Sequence, residues 1–280
     1  SRMGVRPNPV RQKLRNGGAA FGPMAFEFFT PGLFALAGEA GADFIILDME
    51  HSGVGPDTIK AQLAFGRGTR VAPFVRVPGS APHLIAPILD AGAMGIMVPL
   101  VETREQSEMI VASCRYRPLG RRGLGFSVAH DDYSGGPVDS KILDGNERTL
   151  VIALIESERG IQNIDSILAV PGIDVGWLGH YDLTDSMGCP GQFERPEFDA
   201  AVRALLDACE RQGKAAGFLA NDLPTARAWR AKGFRCLGFG TDVGLFRDAL
   251  SAGLSALKQD EAAAAAAHTS AVPRSARGTA

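Results

Sequence analysis

The chain has 280 residues, of which 45% are hydrophobic, enough for one barrel-type domain of about 250 residues or for two smaller domains. Its formal net charge of −2 and its 21% of charged residues give no basic surface of the kind that nucleic-acid-binding proteins carry. We therefore expect small-molecule partners and no nucleic acid.

The cysteines and the N-terminus restrict the compartment. The 4 cysteines lie far apart without a CxxC pair, which argues against a disulfide framework and a zinc ribbon. The N-terminal "SRMGVRPNPVRQKLRNGG" is basic but lacks the apolar run of a signal peptide, and no stretch approaches the roughly 18 apolar residues of a membrane span. We expect a soluble cytoplasmic protein with no membrane partner.

From Gly18 to Asp242 the sequence repeats a short apolar run, a loop and a longer segment of helical periodicity, which indicates βα units. The apolar runs are nearly continuous instead of alternating, as is typical of parallel strands buried on both faces. Eight strands are predicted, at residues 19–26, 44–49, 72–77, 95–101, 150–157, 175–182, 215–220 and 236–242.

The clearest helix signal lies in "PEFDAAVRALLDACERQGK", which begins at Pro196 and stops at Gly213. Its apolar residues fall on one stripe and its charged residues on the opposite face. Weaker helical periodicity follows the other strands, at residues 32–41, 56–66, 82–91, 103–115, 161–169, 222–233 and 243–257.

These elements predict a (β/α)8 TIM barrel as a single domain over residues 1–260. A doubly wound sheet is the alternative, but no GxGxxG turn follows the first strand. Residues 116–149 form a long connection that we interpret as either a lid or an interface. Residues 261–280 form an alanine-rich tail, for which we expect a frayed helix end and then disorder.

Polar side chains stand at the carboxyl ends of the predicted strands, where barrel active sites form. The second strand ends in "LDMEHS", which contains Asp48, Glu50 and His51. Other polar residues end or follow later strands: Arg76, Glu156, Asp182, Asn221, Asp222 and Asp242. The sequence thus predicts a site at this face of the barrel.

Glu156 and Asp182 end neighbouring predicted strands, so their carboxylates can converge on one metal ion. Two carboxylates without thiolates favour Mg²⁺ or Mn²⁺, which acts as a Lewis acid on a bound carbonyl. The alternative is that each acid caps a helix or pairs with an arginine.

His51, Arg76 and His180 are further candidates. The near-neutral pKa of an imidazole suits His51 to proton abstraction, although a structural histidine is the commoner case. Arg76 can clamp a carboxylate or stabilise an enolate, or serve only as an ion-pair partner. His180 and Asp182 would point to the same side of a strand at i and i+2, so both are candidate metal ligands.

Several motifs in this order resemble the HpcH/HpaI family of metal-dependent 2-keto acid aldolases, which is similar to the citrate lyase beta-subunit group. The resemblance runs from about Val10 to about Leu257. Its motifs are "LDMEHS", "VRVPG", "ILDAGAMGIMVPLVET", "YRPLGRRGLG", "LIESERGIQNID", "GHYDLTDSMG" and "GFGTD".

The resemblance implies a barrel of the phosphoenolpyruvate/pyruvate superfamily that cleaves a 4-hydroxy-2-keto acid to pyruvate and an aldehyde. It implies a divalent ion, Mg²⁺, Mn²⁺ or Co²⁺, held by Glu156 and Asp182. It also implies His51 as the base with Asp90 raising its basicity, and Arg76 stabilising the enolate. It further implies a hexamer, built as a trimer of dimers, in which the last helix swaps onto a neighbouring subunit.

Two positions depart from the family pattern. Leu154 stands where a substrate-contacting glutamine is frequent, and "GHYDL" places Tyr181 where a small residue usually precedes the metal-binding aspartate. We expect Arg76, Leu154, Tyr181 and Asp182 to contact the substrate. Because leucine cannot donate the lost hydrogen bond and Tyr181 adds bulk, the family's substrate specificity does not transfer to this chain.

Two other classes of function compete with the aldolase. The first is a related lyase, either an oxaloacetate decarboxylase or a lyase of CoA esters, for which the arginines at 115, 117, 121 and 122 would bind the CoA phosphates. The second is a barrel without turnover that binds a keto acid or a partner subunit.

Overall fold

The computed structural model describes residues 5–271, and its main body is a closed barrel of eight parallel strands that follow one another in chain order. The predicted TIM barrel is confirmed, and every predicted strand is present. The strands are β1 (Ala20–Ala25), β2 (Phe44–Asp48), β3 (Ala72–Arg76), β4 (Gly95–Val98), β5 (Leu150–Ile155), β6 (Val175–Leu178), β7 (Ala215–Ala220) and β8 (Cys236–Thr241).

Twelve α-helices are described. Three of them, α1, α6 and α9, lie where the periodicity gave no helix, and the segment 161–169 is divided into two short helices that together begin at Glu158. The helices are α1 (Pro9–Arg15), α2 (Leu33–Glu39), α3 (Pro56–Gly66), α4 (Pro82–Asp90), α5 (Arg104–Cys114), α6 (Val138–Arg148), α7 (Glu158–Gln162), α8 (Ile164–Leu168), α9 (His180–Ser186), α10 (Pro196–Arg211), α11 (Leu223–Lys232) and α12 (Asp242–Ala271).

The strands bury both of their faces, which explains their continuous apolar sequences. Inside the barrel, the rings of Phe44 and Phe74 stack with their centroids 5.2 Å apart. The intervening residues Ile45 and Val75 point outward and join the apolar layer beneath the helices. Side-chain alternation along each strand therefore builds two cores, one on each side of the sheet.

The amino ends of the strands form the N-terminal face of the barrel, and α1 is anchored there. The side chain of Asn8 accepts hydrogen bonds from the first turn of α1 and donates to the carbonyls of Met94 and Arg148, which precede β4 and β5. Arg11 pairs with Asp174, directly before β6, with Nε to Oδ1 at 2.9 Å. The opposite, C-terminal face carries the strand ends with the titratable residues.

The 116–149 connection packs at the N-terminal face, because α5 ends there and β5 begins there. Arg122 donates to Asp90 at the end of α4, and Arg148 donates to the carbonyl of Gly92 just before β4. The connection holds a short 3-10 helix (Ala129–Asp131) and α6. It is therefore no lid over the C-terminal face of its own barrel, and the interface interpretation remains.

The chain divides into two compact units, one ending at Asp242 and one beginning at Val243. The helix α12 continues to Ala271, so the predicted domain boundary at residue 260 falls inside it. Residues 272–280 lie outside the described part of the chain, and the expected disorder of the tail remains a prediction. None of the helices described over residues 5–271 combines the length and the apolar character needed to cross a membrane.

Gly22 provides a test of the β1–β2 contact. A Cβ atom there would lie 1.9 Å from the carbonyl oxygen of Phe44, at the point where the register between β1 and β8 shifts. Because backbone atoms cannot move aside cheaply, Gly22→Ala should lower the free energy of unfolding by about 1–3 kcal/mol. Urea titration of the variant measures this loss.

The control is Gly123→Ala, since Gly123 is exposed, its φ lies outside the left-handed region, and a Cβ atom there meets nothing within 4 Å. It should change stability by no more than about 0.5 kcal/mol. Equal stability of the two variants would contradict the close approach of β1 and β2.

Candidate active site

Asp48 and Arg76 are direct neighbours at the ends of β2 and β3, because the strand register pairs them. The Arg76 Nε–H donates to Asp48 Oδ1 at 2.5 Å, and the Asp48 carboxylate also accepts the backbone N–H groups of Glu50 and His51 at 3.1 and 2.8 Å. Asp48 is fully buried. This one carboxylate therefore fixes both the guanidinium and the turn that carries Glu50 and His51.

Glu50 lies between the arginine and the histidine. Its Oε2 is 3.3 Å from Arg76 Nη1 and 3.7 Å from His51 Nε2. The arginine contact is an ion pair without hydrogen-bond geometry, since Oε2 is buried and has no hydrogen-bond partner. Burial raises the pKa of Glu50 above its usual range, although Arg76 and His51 oppose the shift and Asp48 and Asp182 add to it. The His51 side chain is 58% exposed and reaches the open face.

Glu156 follows β5 and is only 6% exposed. Its Oε1 accepts the backbone N–H of Leu100 at 2.7 Å, and Leu100 adopts a left-handed φ of 51° in presenting that group. A Cβ atom at Gly179 would lie 2.6 Å from Glu156 Oε2, so only glycine fits beside this oxygen. Burial, with smaller contributions from the charges of Glu50 and Asp182, raises the pKa of Glu156 to about 7.

Asp182 lies in the first turn of α9 and is exposed. Its charge is among those that raise the pKa values of Glu50 and Glu156, which places the three carboxylates within electrostatic reach of one another. Within residues 5–271, the Asp182 carboxylate accepts no hydrogen bond and forms no ion pair.

The expectation that His180 and Asp182 share one side of a strand is wrong. β6 ends at Leu178 and α9 begins at His180, so the two side chains differ by about 200° around a helix. His180 instead packs against the rings of Tyr181, Phe193 and Phe218. Burial lowers the pKa of His180 to about 4, so the ring is neutral at pH 7.

The carboxylates fit a hard divalent cation. Three acids, Glu50, Glu156 and Asp182, share the site with the guanidinium of Arg76, and the raised pKa of Glu156 shows that its negative charge is not compensated. Among the described residues, no group of three or more histidine, cysteine, aspartate or glutamate side chains is close enough to ligate one ion. Glu156 and Asp182 remain the predicted pair of oxygen ligands, a donor set that would suit Mg²⁺ or Mn²⁺ with water and substrate completing the shell.

The two departures from the family pattern both lie beside this pair. Leu154 points into the barrel from β5. A Cβ atom at Gly179 would lie 3.3 Å from Leu154 Cδ1 and 2.6 Å from Glu156 Oε2. Tyr181 directly precedes Asp182 and is 60% exposed. Leu154 itself is only 3% exposed, and contact of either residue with the substrate remains a prediction.

Asp90 does not meet His51 within one chain. It ends α4, which returns from the C-terminal face to the N-terminal face, and its Oδ1 accepts from Arg122 Nη2 at 2.5 Å. The arginines proposed for CoA lie at that same distant face. Arg115 and Arg122 are buried there and paired, and Arg117 and Arg121 are exposed.

Two residues that the sequence did not indicate complete the site. Leu100 acts through its backbone N–H, for which a leucine side chain gives no signal. Gly179 contributes by having no side chain. A glycine directly after a strand end is the sequence feature that could have indicated it. Glu50 was identified at a strand end, but its place between Arg76 and His51 depends on the turn that Asp48 stabilises.

Comparison with known proteins identifies the family of the chain. The HpcH/HpaI aldolase/citrate lyase family matches residues 27–249. The 2-keto-3-deoxy-L-rhamnonate aldolase of Salmonella typhimurium is 33% identical over 256 residues, 90% of this chain and 93% of that protein. The 5-keto-4-deoxy-D-glucarate aldolase of Shigella dysenteriae is 36% identical over 212 residues, 76% of this chain and 82% of that protein. An HpcH/HpaI aldolase from Desulfitobacterium hafniense superposes with a TM-score of 0.84 at 29% identity, over 89% of this chain and 96% of that chain.

An eight-stranded parallel barrel with titratable groups gathered at its C-terminal face defines an enzyme of the TIM-barrel class. The chain belongs to the HpcH/HpaI aldolase/citrate lyase family. The two relatives named above are aldolases, and the chain is a carbon–carbon lyase. Aldolases of this family depend in general on a divalent metal ion.

Glu156→Gln should stabilise the metal-free protein at pH 8, because it removes a buried negative charge. A pKa raised from 4.5 to about 7 corresponds, at about 1.36 kcal/mol per pH unit, to a penalty on the order of 3 kcal/mol. The penalty applies above pH 7 and falls as the pH drops from 7 towards 4.5, where wild-type Glu156 becomes protonated. Urea unfolding in EDTA at pH 8 and pH 5 measures the difference.

Added Mn²⁺ should then raise the melting temperature of the wild type but not that of Glu156→Gln. Glu194→Gln, at an exposed position before α10, is the matched control and should behave like the wild type. An equal Mn²⁺ response in Glu156→Gln would exclude Glu156 as a ligand.

Proposed function

We propose that the protein is a divalent-metal-dependent class II aldolase that cleaves a 4-hydroxy-2-keto acid to pyruvate and an aldehyde, and catalyses the reverse addition. The observation that carries this proposal is the buried carboxylate of Glu156 at the C-terminal face. It accepts the backbone N–H of Leu100, and its pKa is raised by burial and by the charges of Glu50 and Asp182 and lowered by that of Arg76. Such a site binds a cation and stabilises negative charge on a substrate oxygen.

Glu156 and Asp182 would hold the ion, Mg²⁺ or Mn²⁺ with Co²⁺ as a further candidate. When bound, the ion supplies a Lewis acid for the keto oxygen and the carboxylate of the pyruvoyl group. Leu100 and Gly179 prepare Glu156 for this task. The N–H of Leu100 orients Glu156 Oε1, and Gly179, which has no side chain, leaves Glu156 Oε2 uncovered.

His51 would act as the base in cleavage. It removes the proton of the C4 hydroxyl, the C3–C4 bond breaks, and C4 leaves as the carbonyl carbon of the aldehyde. The electron pair of the broken bond passes to the enolate of pyruvate, and the protonated His51 then delivers its proton to C3, which gives pyruvate and restores the neutral imidazole. Glu50, 3.7 Å from His51 Nε2, stabilises the protonated imidazole between these steps.

Arg76 would stabilise the enolate oxygen. Asp48 holds its Nε, and Glu50 lies beside Nη1, so the guanidinium is fixed before the substrate arrives. A fixed cation stabilises developing negative charge without reorganisation at the moment of reaction. Lysine at this position would lack the planar fork that Asp48 and the substrate share.

The role of Asp90 requires a second copy of the chain. Within one chain Asp90 lies at the N-terminal face and His51 at the C-terminal face, so an Asp90 that raises the basicity of His51 must come from a neighbouring subunit. We therefore retain the predicted hexamer, a trimer of dimers in which the last helix swaps onto a neighbouring subunit. Within α12, Leu250, Leu254 and Leu257 recur on one face and are exposed, as a helix that packs against a neighbour requires.

Decarboxylation of oxaloacetate remains the second candidate, because it passes through the same pyruvate enolate and uses the same residues. Cleavage of CoA esters has less support, since the arginines expected to bind the CoA phosphates lie away from the carboxylate site and two of them are already paired. Free CoA should not inhibit the enzyme. A barrel that binds a keto acid without turnover is the non-catalytic alternative.

Exchange of the pyruvate methyl protons tests the enolate step without knowledge of the aldehyde. In D₂O with Mn²⁺, the wild type should exchange these protons, and EDTA should stop the exchange. His51→Ala should slow it by about 10²–10⁴-fold, the usual contribution of a general base. Loss of the methyl signal in proton NMR measures the rate.

The matched control for this loss is His83→Ala, an exposed histidine on α4, which should exchange like the wild type. Absence of exchange in the wild type would contradict pyruvate enolate formation. Exchange retained in His51→Ala would assign the base to another residue.

A mixing experiment tests the source of Asp90. His51→Ala and Asp90→Asn should each be nearly inactive, whereas co-expression of the two should restore measurable activity, because some sites then combine an intact His51 with an intact Asp90. Light scattering gives the oligomeric mass, and thermal unfolding confirms that Asp90→Asn folds without its full ion pair to Arg122. A monomeric mass, or no restoration in an oligomer, would contradict the shared site.

A further inference from the structure

We propose that Phe26 is a positioning residue for Arg76, and that Asp242 holds Phe26 in place through the backbone of the loop after β1. Asp242 ends the eighth strand predicted from the sequence, and the proposed reaction gives it no task. Phe26 has this role only if Arg76 stabilises the enolate, so the proposal rests on the proposed function.

Asp242 lies beside the loop that follows β1, because the strand register pairs Met24 of β1 with Thr241 of β8. Its carboxylate accepts three consecutive backbone N–H groups of that loop. Oδ1 accepts from Phe26 at 2.9 Å, and Oδ2 accepts from the next two residues at 2.9 and 2.6 Å. Successive N–H groups that converge on one anion form a nest. The backbone conformation of residues 26–28 therefore depends on the Asp242 carboxylate.

Phe26 directs its ring towards the interior of the barrel at the C-terminal face. It follows Met24, which points into the barrel, by two residues, and its partly buried ring packs against the interior core. The Arg76 Cζ atom lies over this ring, 5.5 Å from its centroid. At this distance a guanidinium is attracted by the negative face of an aromatic ring.

Arg76 is thus held by three groups. Asp48 binds its Nε, Glu50 forms an ion pair with its Nη1, and the Phe26 ring attracts the delocalised cation as a whole. Removal of the ring would keep both carboxylates but leave the guanidinium freer to move. A cation that must reorganise stabilises the enolate less, so the enolate step should slow more than pyruvate binding weakens.

The test is exchange of the pyruvate methyl protons with Mn²⁺, measured over a range of pyruvate concentrations. Phe26→Leu keeps an apolar side chain without the aromatic ring, and it should lower kcat about tenfold while KM changes less than about twofold. Phe26→Tyr keeps the ring and should stay within about twofold of the wild-type kcat. The control is Phe29→Leu, which alters the same loop, but Phe29 packs against the outer core, so kcat should not change.

Asp242→Asn should lower kcat as much as Phe26→Leu does. The double variant should be no more than about twofold slower than either single variant, because both changes act through one ring. Asp222→Asn is the matched control, since Asp222 follows β7 at the same face and caps α11 by accepting the N–H of Thr225. It should behave like the wild type.

A second measurement needs no metal ion. In EDTA, the backbone N–H groups of residues 26–28 should exchange with deuterium at least about tenfold faster in Asp242→Asn than in the wild type, because they lose a charged acceptor. Asp222→Asn should leave their exchange unchanged. Mass spectrometry of the peptide that contains these residues measures the rate.

Equal kcat values of Phe26→Leu and Phe26→Tyr, multiplicative losses in the double variant, or unchanged amide exchange in Asp242→Asn would overturn the proposal. If Asp242→Asn does not fold, the two Phe26 variants decide alone. Methyl-proton exchange in the wild type without these effects refutes only the positioning role. Absence of methyl-proton exchange in the wild type refutes the proposed function and the positioning role with it.

Discussion

The buried carboxylate of Glu156 is the constraint on which the site depends. It carries negative charge beside Glu50 and Asp182, and burial with this repulsion raises its pKa to about 7. The surrounding backbone is built to hold it in place, with Leu100 in a left-handed conformation to donate one N–H and Gly179 bare to leave room for Oε2. Its negative charge is costly in the metal-free protein, and a bound cation would offset that cost.

Asp48 fixes the positively charged guanidinium of Arg76 at the same face. The barrel register places it beside Arg76, and its two oxygens hold the guanidinium and two backbone N–H groups of the following turn. Asp48 and Glu156 thus come from the ends of different strands, and each carboxylate is fixed by backbone N–H groups at the shared face. This arrangement explains how a barrel made of apolar strands positions its polar groups without flexible loops.

The fold was predictable because each strand is a continuous apolar run, whose length and flanking helices leave few alternatives. The placement of Glu156 and Asp182 at one face was predictable because strand ends in a parallel barrel meet there, and their binding of a metal ion remains a proposal. The arrangement of His180 and Asp182 was predicted wrongly. The sequence "VGWLGHYD" reads as a continuous strand, whereas the chain begins a helix after Gly179. Leu100 contributes only its backbone N–H, so its side chain gives no signal in the sequence. Asp90 lies at the far end of α4 from the face that carries His51, and the sequence does not reveal this separation.

The central claim is that this carboxylate face binds one divalent ion that still accepts a keto acid. Water proton relaxation in a titration with Mn²⁺ tests it directly, because protein-bound Mn²⁺ enhances the relaxation of the water it retains. The account predicts one site per chain, and a fall in the enhancement when pyruvate displaces water from the ion. Absence of stoichiometric binding, or an enhancement that pyruvate leaves unchanged, would contradict it.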